Sequence, residues 1–508
     1  MRTRLLYAGF GVLATIVGMA AGHLVASLLD PASSPVLAVG STVIDLTPTP
    51  VKEWAVAEFG TKDKPILVGS VLLGALVLAA IAGILARRRF ALGAGLLLLL
   101  VVVAGAAAMS RPTAGFVDAV PAIATGIIGV ASLWWLCNSG KGLDRLDRRG
   151  VAEDSEGPSR RGVLVAAGVL TAAAAVMAGA GRWITSLRTS PSDVTLPAAS
   201  DPAPVFPKGL DGKVDGISSF RTPNADFYRV DTRLSLPIVD VDSYTLTIDG
   251  DVDQELTFTF DELLAMPLIE RDITLTCVSN DIGGPYVGGA RWLGVRLTDL
   301  LDQAGVGSKA DQIFSTDVDG FTISTPLDLA TDGRDAMVAV GMNGEALPRE
   351  HGFPVRLVIP GLYGFISATK WLTRLTLTTY AEQDAYWTER DWATDAPIKI
   401  SSRIDTPKSF EEIDAGDTFV GGVAWAQHQG IAEVEVQVDG GPWQPAQLGP
   451  SAGDDYWRQW YLPWNADSGE HDLSVRATTK DGEVQTPVKA SPFPEGSSGL
   501  QRIIVRVA

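Results

Sequence analysis

Two cysteines and four histidines are all that the 508 residues carry of either type. Cys137 lies in an apolar stretch and Cys277 far downstream, so no disulfide framework is expected. A chain with a large core can be exported without disulfides, so this scarcity does not fix a compartment. Only His23 falls within the hydrophobic N-terminal third. A membrane b-type haem needs paired axial histidines, which argues against a haem-carrying bundle there. Positive charge is also short over most of the chain. Residues 1–186 hold 16 Lys+Arg and 11 Asp+Glu, whereas the remainder holds 25 and 48, a net charge near −23. That balance argues against nucleic-acid or anionic-membrane binding by the C-terminal two thirds.

What is present first is apolar length. Five stretches, about Leu5–Leu29, Ile66–Leu85, Ala91–Met109, Phe116–Leu136 and Val163–Ile184, are each long enough to span a bilayer, the fourth interrupted by Pro121. Eleven Lys and Arg fall in the loops on one side, from Arg2 to Arg161, against four on the other: Lys52, Lys62, Lys64 and Arg111. The positive-inside rule then predicts a cytoplasmic N-terminus and an extracytoplasmic chain from about Leu187. Ser159-Arg160-Arg161-Gly162-Val163-Leu164 also resembles a twin-arginine export signal, although it is internal. The expected division is 1–186 transmembrane helices, 187–219 a solvated Pro/Ser/Asp/Gly-rich linker, 220–398 a mixed α/β domain, and 399–508 an all-β domain. In the last, short alternating strands around Val434–Val438, Trp457–Leu462, His471–Thr478 and Arg502–Val507 suggest an immunoglobulin-like sandwich.

The chemistry centres on Cys277. The β-branched run Ile273-Thr274-Leu275-Thr276 delivers it to the end of a predicted strand, and a Gly/Asn/Pro-rich loop follows from Ser279 to Gly289. A thiol there can be a nucleophile, a redox group, a soft metal ligand or a small buried hydrophobe. Spacing alone leaves these open.

Two ordered blocks narrow the choice. Cys277-x-x-Asn280 is followed by Ala290-Arg291-Trp292-Leu293-Gly294-Val295 and Leu297-x-Asp299-Leu300-Leu301. The run from Met342 to Arg356 then leads into Val358-Ile359-Pro360-Gly361 and Lys370-Trp371-Leu372. Together they resemble the molybdenum-pterin domain of the sulfite oxidase family. The resemblance implies a molybdenum-molybdopterin cofactor (Mo-MPT), with Cys277 as the protein thiolate on the metal. A soft, electron-donating sulfur suits a metal that cycles by two electrons. It further implies pterin contacts from Asn224, Tyr228, Arg229, Thr316, His351, Arg356, Ser367 and Lys370, Arg229 and Tyr386 on the substrate side, and a C-terminal dimerisation domain. Trp387 and Trp392 are expected to be packing residues.

This chain departs from the family where sulfite is bound. Arginines follow the cysteine motif in sulfite oxidases, whereas here Asn280 leads into Asp281-Ile282-Gly283-Gly284. An acid and glycines near the metal disfavour an anionic substrate, unless Arg229 or Arg291 restores positive charge. The expected function is two-electron oxygen-atom transfer on a small oxo-acceptor or oxo-donor, by an enzyme held in the cytoplasmic membrane and fed by a quinone or another electron partner. A methionine-sulfoxide-type reductase, sulfite oxidase proper and a non-catalytic envelope binding protein are the rival readings.

Overall fold

The computed structural model describes residues 2–59, 62–149, 160–188 and 194–508, so Ser159 of the twin-arginine stretch and positions 189–193 of the expected linker lie outside the described residues. Two compact units result: Met1–Ser190 with Asp231–Ile238, and Pro191–Val230 with Val239–Ala508.

The first unit is helical: α1 (Arg2–Leu28), α2 (Pro35–Leu46), α3 (Thr49–Phe59), α4 (Asp63–Arg88), α5 (Phe90–Met109), α6 (Val120–Arg149) and α7 (Arg160–Arg188). Among the described residues five spans are long and apolar enough to cross a membrane, Thr3–Leu28, Asp63–Arg88, Phe90–Met109, Phe116–Gly140 and Arg161–Arg188. They coincide with the five expected stretches. Pro121 does not interrupt the fourth. It stands in the first turn of α6, where its missing N–H has no intrahelical partner to lose. The short helices α2 and α3 were not expected. Pro35 sits at the first position of α2 behind Ser34, and twelve residues are too few to cross a bilayer.

α1 packs against α4, α6 and α7. Its approach to α4 depends on Gly11 and Gly83: a Cβ on either would stand 1.9 Å from a backbone oxygen of the other helix. Leu73, Val102, Ile127, Leu164 and Val176 point outward and are exposed. Asp231–Ile238 belongs to this unit, with Lys64 Nζ 2.8 Å from Asp231 Oδ1.

The second unit begins irregularly. Residues 194–219 contain no helix or strand, yet they are not a freely solvated tether. Ser200 N donates to Leu268 O at 2.9 Å, Leu210 N to Gln459 Oε1 at 2.6 Å, and Val214 is buried. Pro and Asp suppress regular structure here without preventing burial.

Ten strands follow: β1 (Thr245–Gly250), β2 (Leu256–Thr259), β3 (Leu268–Thr276), β4 (Val287–Arg296), β5 (Gln312–Asp317), β6 (Thr322–Pro326), β7 (Met337–Met342), β8 (Glu345–Ala346), β9 (Arg356–Val358) and β10 (Leu372–Thr378). One sheet runs β2-β1-β10-β5-β6; the other runs β3-β4-β7-β8, with β9 also on β7. β7, MVAVGM, is buried at all six positions, as a strand covered on both faces requires. α8 (Phe260–Ala265) starts on a capping box in which Thr259 Oγ1 accepts from Glu262 N and Glu262 accepts from Thr259 N. α9 (Leu297–Ala304) buries Leu297, Leu300, Leu301 and Ala304, one face at helical spacing, and stops at Gly305. Two single turns, α10 (Leu327–Ala330) and α11 (Gly364–Ser367), complete this part.

Nine further strands form a two-sheet sandwich: β11 (Ser401–Thr406), β12 (Glu412–Ile413), β13 (Gly416–Trp425), β14 (Ile431–Val438), β15 (Trp443–Pro445), β16 (Gln447–Leu448), β17 (Arg458–Ala466), β18 (Gly469–Thr479) and β19 (Gln501–Val507). The sheet β11-β13-β17-β16 faces β12-β19-β18-β14-β15 across Val420, Trp460, Val434, Val436, Val475 and Val505. The α/β part and the sandwich share a core: Val423, Trp425, Tyr456 and Trp457 pack in the same cluster as Phe220, Val278 and Val287.

Candidate active site

β3 and β4 form a hairpin in which Thr276 pairs with Val287, so residues 277–286 are its loop. The loop closes on itself. Cys277 N donates to Tyr286 O at 3.0 Å, Asn280 N to Cys277 O at 3.0 Å, and Tyr286 N to Asn280 Oδ1 at 2.7 Å. The Cys277 side chain is buried, with Ser279 Oγ 2.9 Å from Sγ. Burial pushes the thiol pKa up, opposed by the Ser279 hydrogen bond and by the positive Lys370. The sulfur is therefore a protonated thiol near neutrality, and a metal that binds it displaces the proton.

The second block folds over the same region. The turn Arg349–His351 precedes β9, and His351 Nε2 lies 2.9 Å from the backbone oxygen of Asn224. A carbonyl only accepts, so Nε2 carries the proton and Nδ1 keeps its lone pair. Burial, aided by Arg356 and Lys370, lowers the His351 pKa to about 4, so the ring is neutral. Asn224 is pinned by Asn343, whose Nδ2 donates to Asn224 Oδ1 at 2.8 Å, and it donates to Glu345 Oε1 at 2.5 Å.

Arg356 is buried above the Trp292 ring, 5.0 Å from its centroid, and donates to His351 O at 3.1 Å and Ala368 O at 3.4 Å. Among the described residues no carboxylate forms an ion pair with it. Burial lowers its pKa to about 10. Lys370 Nζ donates to Glu350 O at 3.1 Å. Tyr228 stacks on Phe227 and meets Tyr286 edge-on at 6.4 Å. Its phenol pKa is raised by burial and by Cys277 and lowered by Arg356, which puts all three side chains in one electrostatic neighbourhood.

The structure thus draws together Cys277, Tyr228, Asn224, His351, Arg356 and Lys370. The other predicted residues stand differently. Ser367 is fully buried and its Oγ donates to Leu362 O and Tyr363 O, each at 3.0 Å, so its hydroxyl holds α11 in place. Thr316 lies in β5, its carbonyl accepting from Thr373 Oγ1. Arg229 is exposed. Tyr386 packs on Phe321 at 4.8 Å, with the Arg390 guanidinium 3.6 Å from its ring centroid. From Tyr386 a run of ring contacts passes through Trp387 and Trp392 to Phe365 of α11, so both tryptophans pack as expected.

One residue was missed. Tyr363 is buried just before α11, and its phenol pKa is pushed up to about 12 by burial, with a further contribution from Cys277. It stands between the matched runs Val358–Gly361 and Lys370–Leu372, and no sequence period says which way its ring points.

A buried guanidinium without a counter-charge is costly unless an anion joins it. Arg356 and Lys370 supply the cations for a phosphate, neutral His351 a ring nitrogen for a heterocycle, and Cys277 a soft sulfur for a metal. This donor set fits a phosphate-bearing metal-dithiolene cofactor.

Comparison with known proteins agrees. The family described as oxidoreductase molybdopterin binding domain matches residues 233–387. Human mitochondrial sulfite oxidase is 31% identical over 328 residues, covering 54% of this chain and 59% of that protein. Residues 233–387 therefore belong to the molybdopterin-binding oxidoreductase domain family, and the relatives matched around them are sulfite oxidases. Membership brings a molybdenum-molybdopterin cofactor with it. Sulfite oxidase of Arabidopsis thaliana is 26% identical over 289 residues, 47% of this chain and 73% of that one. Among solved structures, the sulfane dehydrogenase SoxCD from Paracoccus pantotrophus superposes with a TM-score of 0.51 over 57% of this chain and 82% of that one, at 24% identity. That likeness supports the fold. The chain covers less than two thirds of the length of the mammalian sulfite oxidases it matches.

Proposed function

We propose that this chain is a membrane-anchored molybdopterin enzyme whose catalytic part lies outside the cytoplasm and carries out two-electron oxygen-atom transfer. The carrying observation is the buried Cys277 thiol in the same neighbourhood as Arg356, a buried cation with no carboxylate partner among the described residues. The bound group supplies the two-electron redox chemistry of molybdenum. The chain supplies the rest: Cys277 as metal ligand; Asn224, Tyr228, His351, Arg356, Ser367 and Lys370 around the pterin, with Thr316 and Arg229 at its edge; and Tyr386 as a substrate-side hydroxyl. Five apolar spans and the bias of eleven basic loop residues against four support the anchor and its orientation. The domain division follows: spans to about 186, a catalytic domain over 220–398, and an immunoglobulin-like, dimerisation-type sandwich over 399–508.

Arg291 bears on the substrate. Its Nε and Nη2 donate to Asp272 at 2.8 and 2.6 Å, Nη2 also to Pro204 O at 2.6 Å, and Glu270 stands 3.4 Å from Nη1. An arginine so fully engaged does not replace the anion-binding arginines absent after Asn280. A neutral oxo-donor such as a sulfoxide therefore fits better than sulfite, with electrons from a quinone or a partner protein.

Metal and pterin analysis of the purified chain beside Cys277→Ser tests this reading. Molybdenum near one per chain with a releasable pterin, and an altered metal spectrum with lost activity in the variant, is the expected result. A wild-type chain without molybdenum, made in a host that inserts the cofactor, would refute it.

A further inference from the structure

The loop that carries Cys277 is held from outside by the sandwich. Gln427, in the connection between β13 and β14, is 2% exposed and donates through Nε2 to Thr274 O at 3.1 Å and Thr276 Oγ1 at 3.0 Å. Thr274 O can only accept, so the amide is oriented with its NH2 toward β3. Two more sandwich groups fix the same strand end: Trp457 N donates to Thr274 Oγ1 at 2.9 Å, and Asp455 O accepts from Thr274 N at 2.9 Å.

The far side of the loop is held likewise. Ser497, buried in the connection between β18 and β19, donates through Oγ to Asn280 O at 2.7 Å. Arg403 of β11 donates through Nη1 to Gly284 O at 2.8 Å, while its Nε is bound to Asp405 and its Nη2 to Ser218. Thr274, Thr276 and Asn280 are all buried, so losing a partner here leaves an unsatisfied group rather than a hydrated one.

We propose that Gln427 and Ser497 are positioning residues for Cys277: through Thr276 on one side and Asn280 on the other, the sandwich sets the direction in which the sulfur points. The C-terminal domain is then part of the metal site. Hydrogen bonds inside the loop, Asn280 N to Cys277 O and Cys277 N to Tyr286 O, close it but leave its tilt relative to β3 open. Gln427 and Ser497 fix that tilt. The inference rests on the assignment of Cys277 as metal ligand.

Gln427→Leu removes both bonds to β3 at similar volume, Gln427→Glu keeps the shape but sets a carboxylate against Thr274 O, and Ser497→Ala frees Asn280 O. Val436→Ala, in the sandwich core, is the control for general loosening. In the full chain purified without cofactor, alkylation of Cys277 followed by peptide mapping should be at least tenfold faster in Gln427→Leu or Gln427→Glu, and faster in Ser497→Ala. Ser497→Thr should restore the wild-type rate. In loaded enzyme the same variants should shift the Mo(V) paramagnetic resonance signal. Alkylation within twofold of wild type, an equal increase in Val436→Ala, or an unshifted signal would each overturn the inference. Absence of molybdenum from the wild-type chain would count against the cofactor reading alone, and the alkylation comparison would then decide by itself.

Discussion

Replacing Arg356 by Met separates what this guanidinium does for the folded chain from what it does for a cofactor. The side chain is 5% exposed, and burial lowers its pKa to about 10. A base with a lowered folded pKa is disfavoured in its charged form by the fold. At pH 7 it is charged in both states, so the folded chain bears the whole shift, about 3 kcal/mol. Against this stand long hydrogen bonds to carbonyls at 3.1, 3.4 and 3.5 Å, each contributing about 1 kcal/mol or less. The contact with Trp292 adds about 1 kcal/mol. The two sides nearly cancel. Cofactor-free Arg356→Met should therefore melt within about 5 °C of wild type in detergent, followed by tryptophan fluorescence. Toward a phosphate, each lost charge-assisted hydrogen bond costs about 1.5–3 kcal/mol, so molybdenum and pterin retained after gel filtration should fall at least about tenfold. A large drop in melting temperature with molybdenum retained would mean that the arginine is a structural strut, and the phosphate argument would be wrong.

His351 should make the cofactor-free chain acid-sensitive. Its folded pKa is about 4 against 6.5 unfolded, so between these values the unfolded state binds the extra proton, and stability falls as pH drops through that window, by about 3 kcal/mol at its foot. His351→Gln should flatten the dependence of melting temperature on pH from 7 to 4.5, and an unchanged slope would show that other groups cause it. In the helical unit, Gly11→Ala must push α1 away from α4 and lower the melting temperature by several degrees, whereas Gly9→Ala and Gly69→Ala, which meet nothing within 4 Å, should not. A reporter active only outside the cytoplasm, fused after Leu187, should be active, and one fused after Arg89 inactive; the reverse pattern would invert the proposed orientation.

The apolar spans were legible because their signal is length, which needs no tertiary partner. The end of β3 was legible because the β-branched run Ile273–Thr276 is a local signal. Composition misleads where packing overrides it. Gly288 and Gly289 read as loop residues, yet both are in β4, because a Cβ would stand 2.9 Å from the Phe227 ring at Gly288 and 2.6 Å from Tyr456 at Gly289. Those glycines mark close approach of aromatic rings rather than a turn. Residues 194–219 read as solvated for a related reason: Pro, Asp and Gly report the absence of regular hydrogen bonding, not the absence of burial. The site shows the same limit. The ordered blocks around Cys277 and His351 hold the thiol and the buried cation Arg356, which the fold brings into one neighbourhood. Arg291 sits in one of those blocks, and only its pairing with Asp272, nineteen residues earlier on the neighbouring strand, reveals that its charge is already used. The groups that hold the Cys277 loop are farther still. Gln427 reaches Thr276 across 151 positions and Ser497 reaches Asn280 across 217, so no periodicity or motif spacing couples them. They meet because the β3–β4 hairpin and the sandwich share one core through Val278, Val287, Trp425 and Trp457, and that core is a property of the folded chain alone.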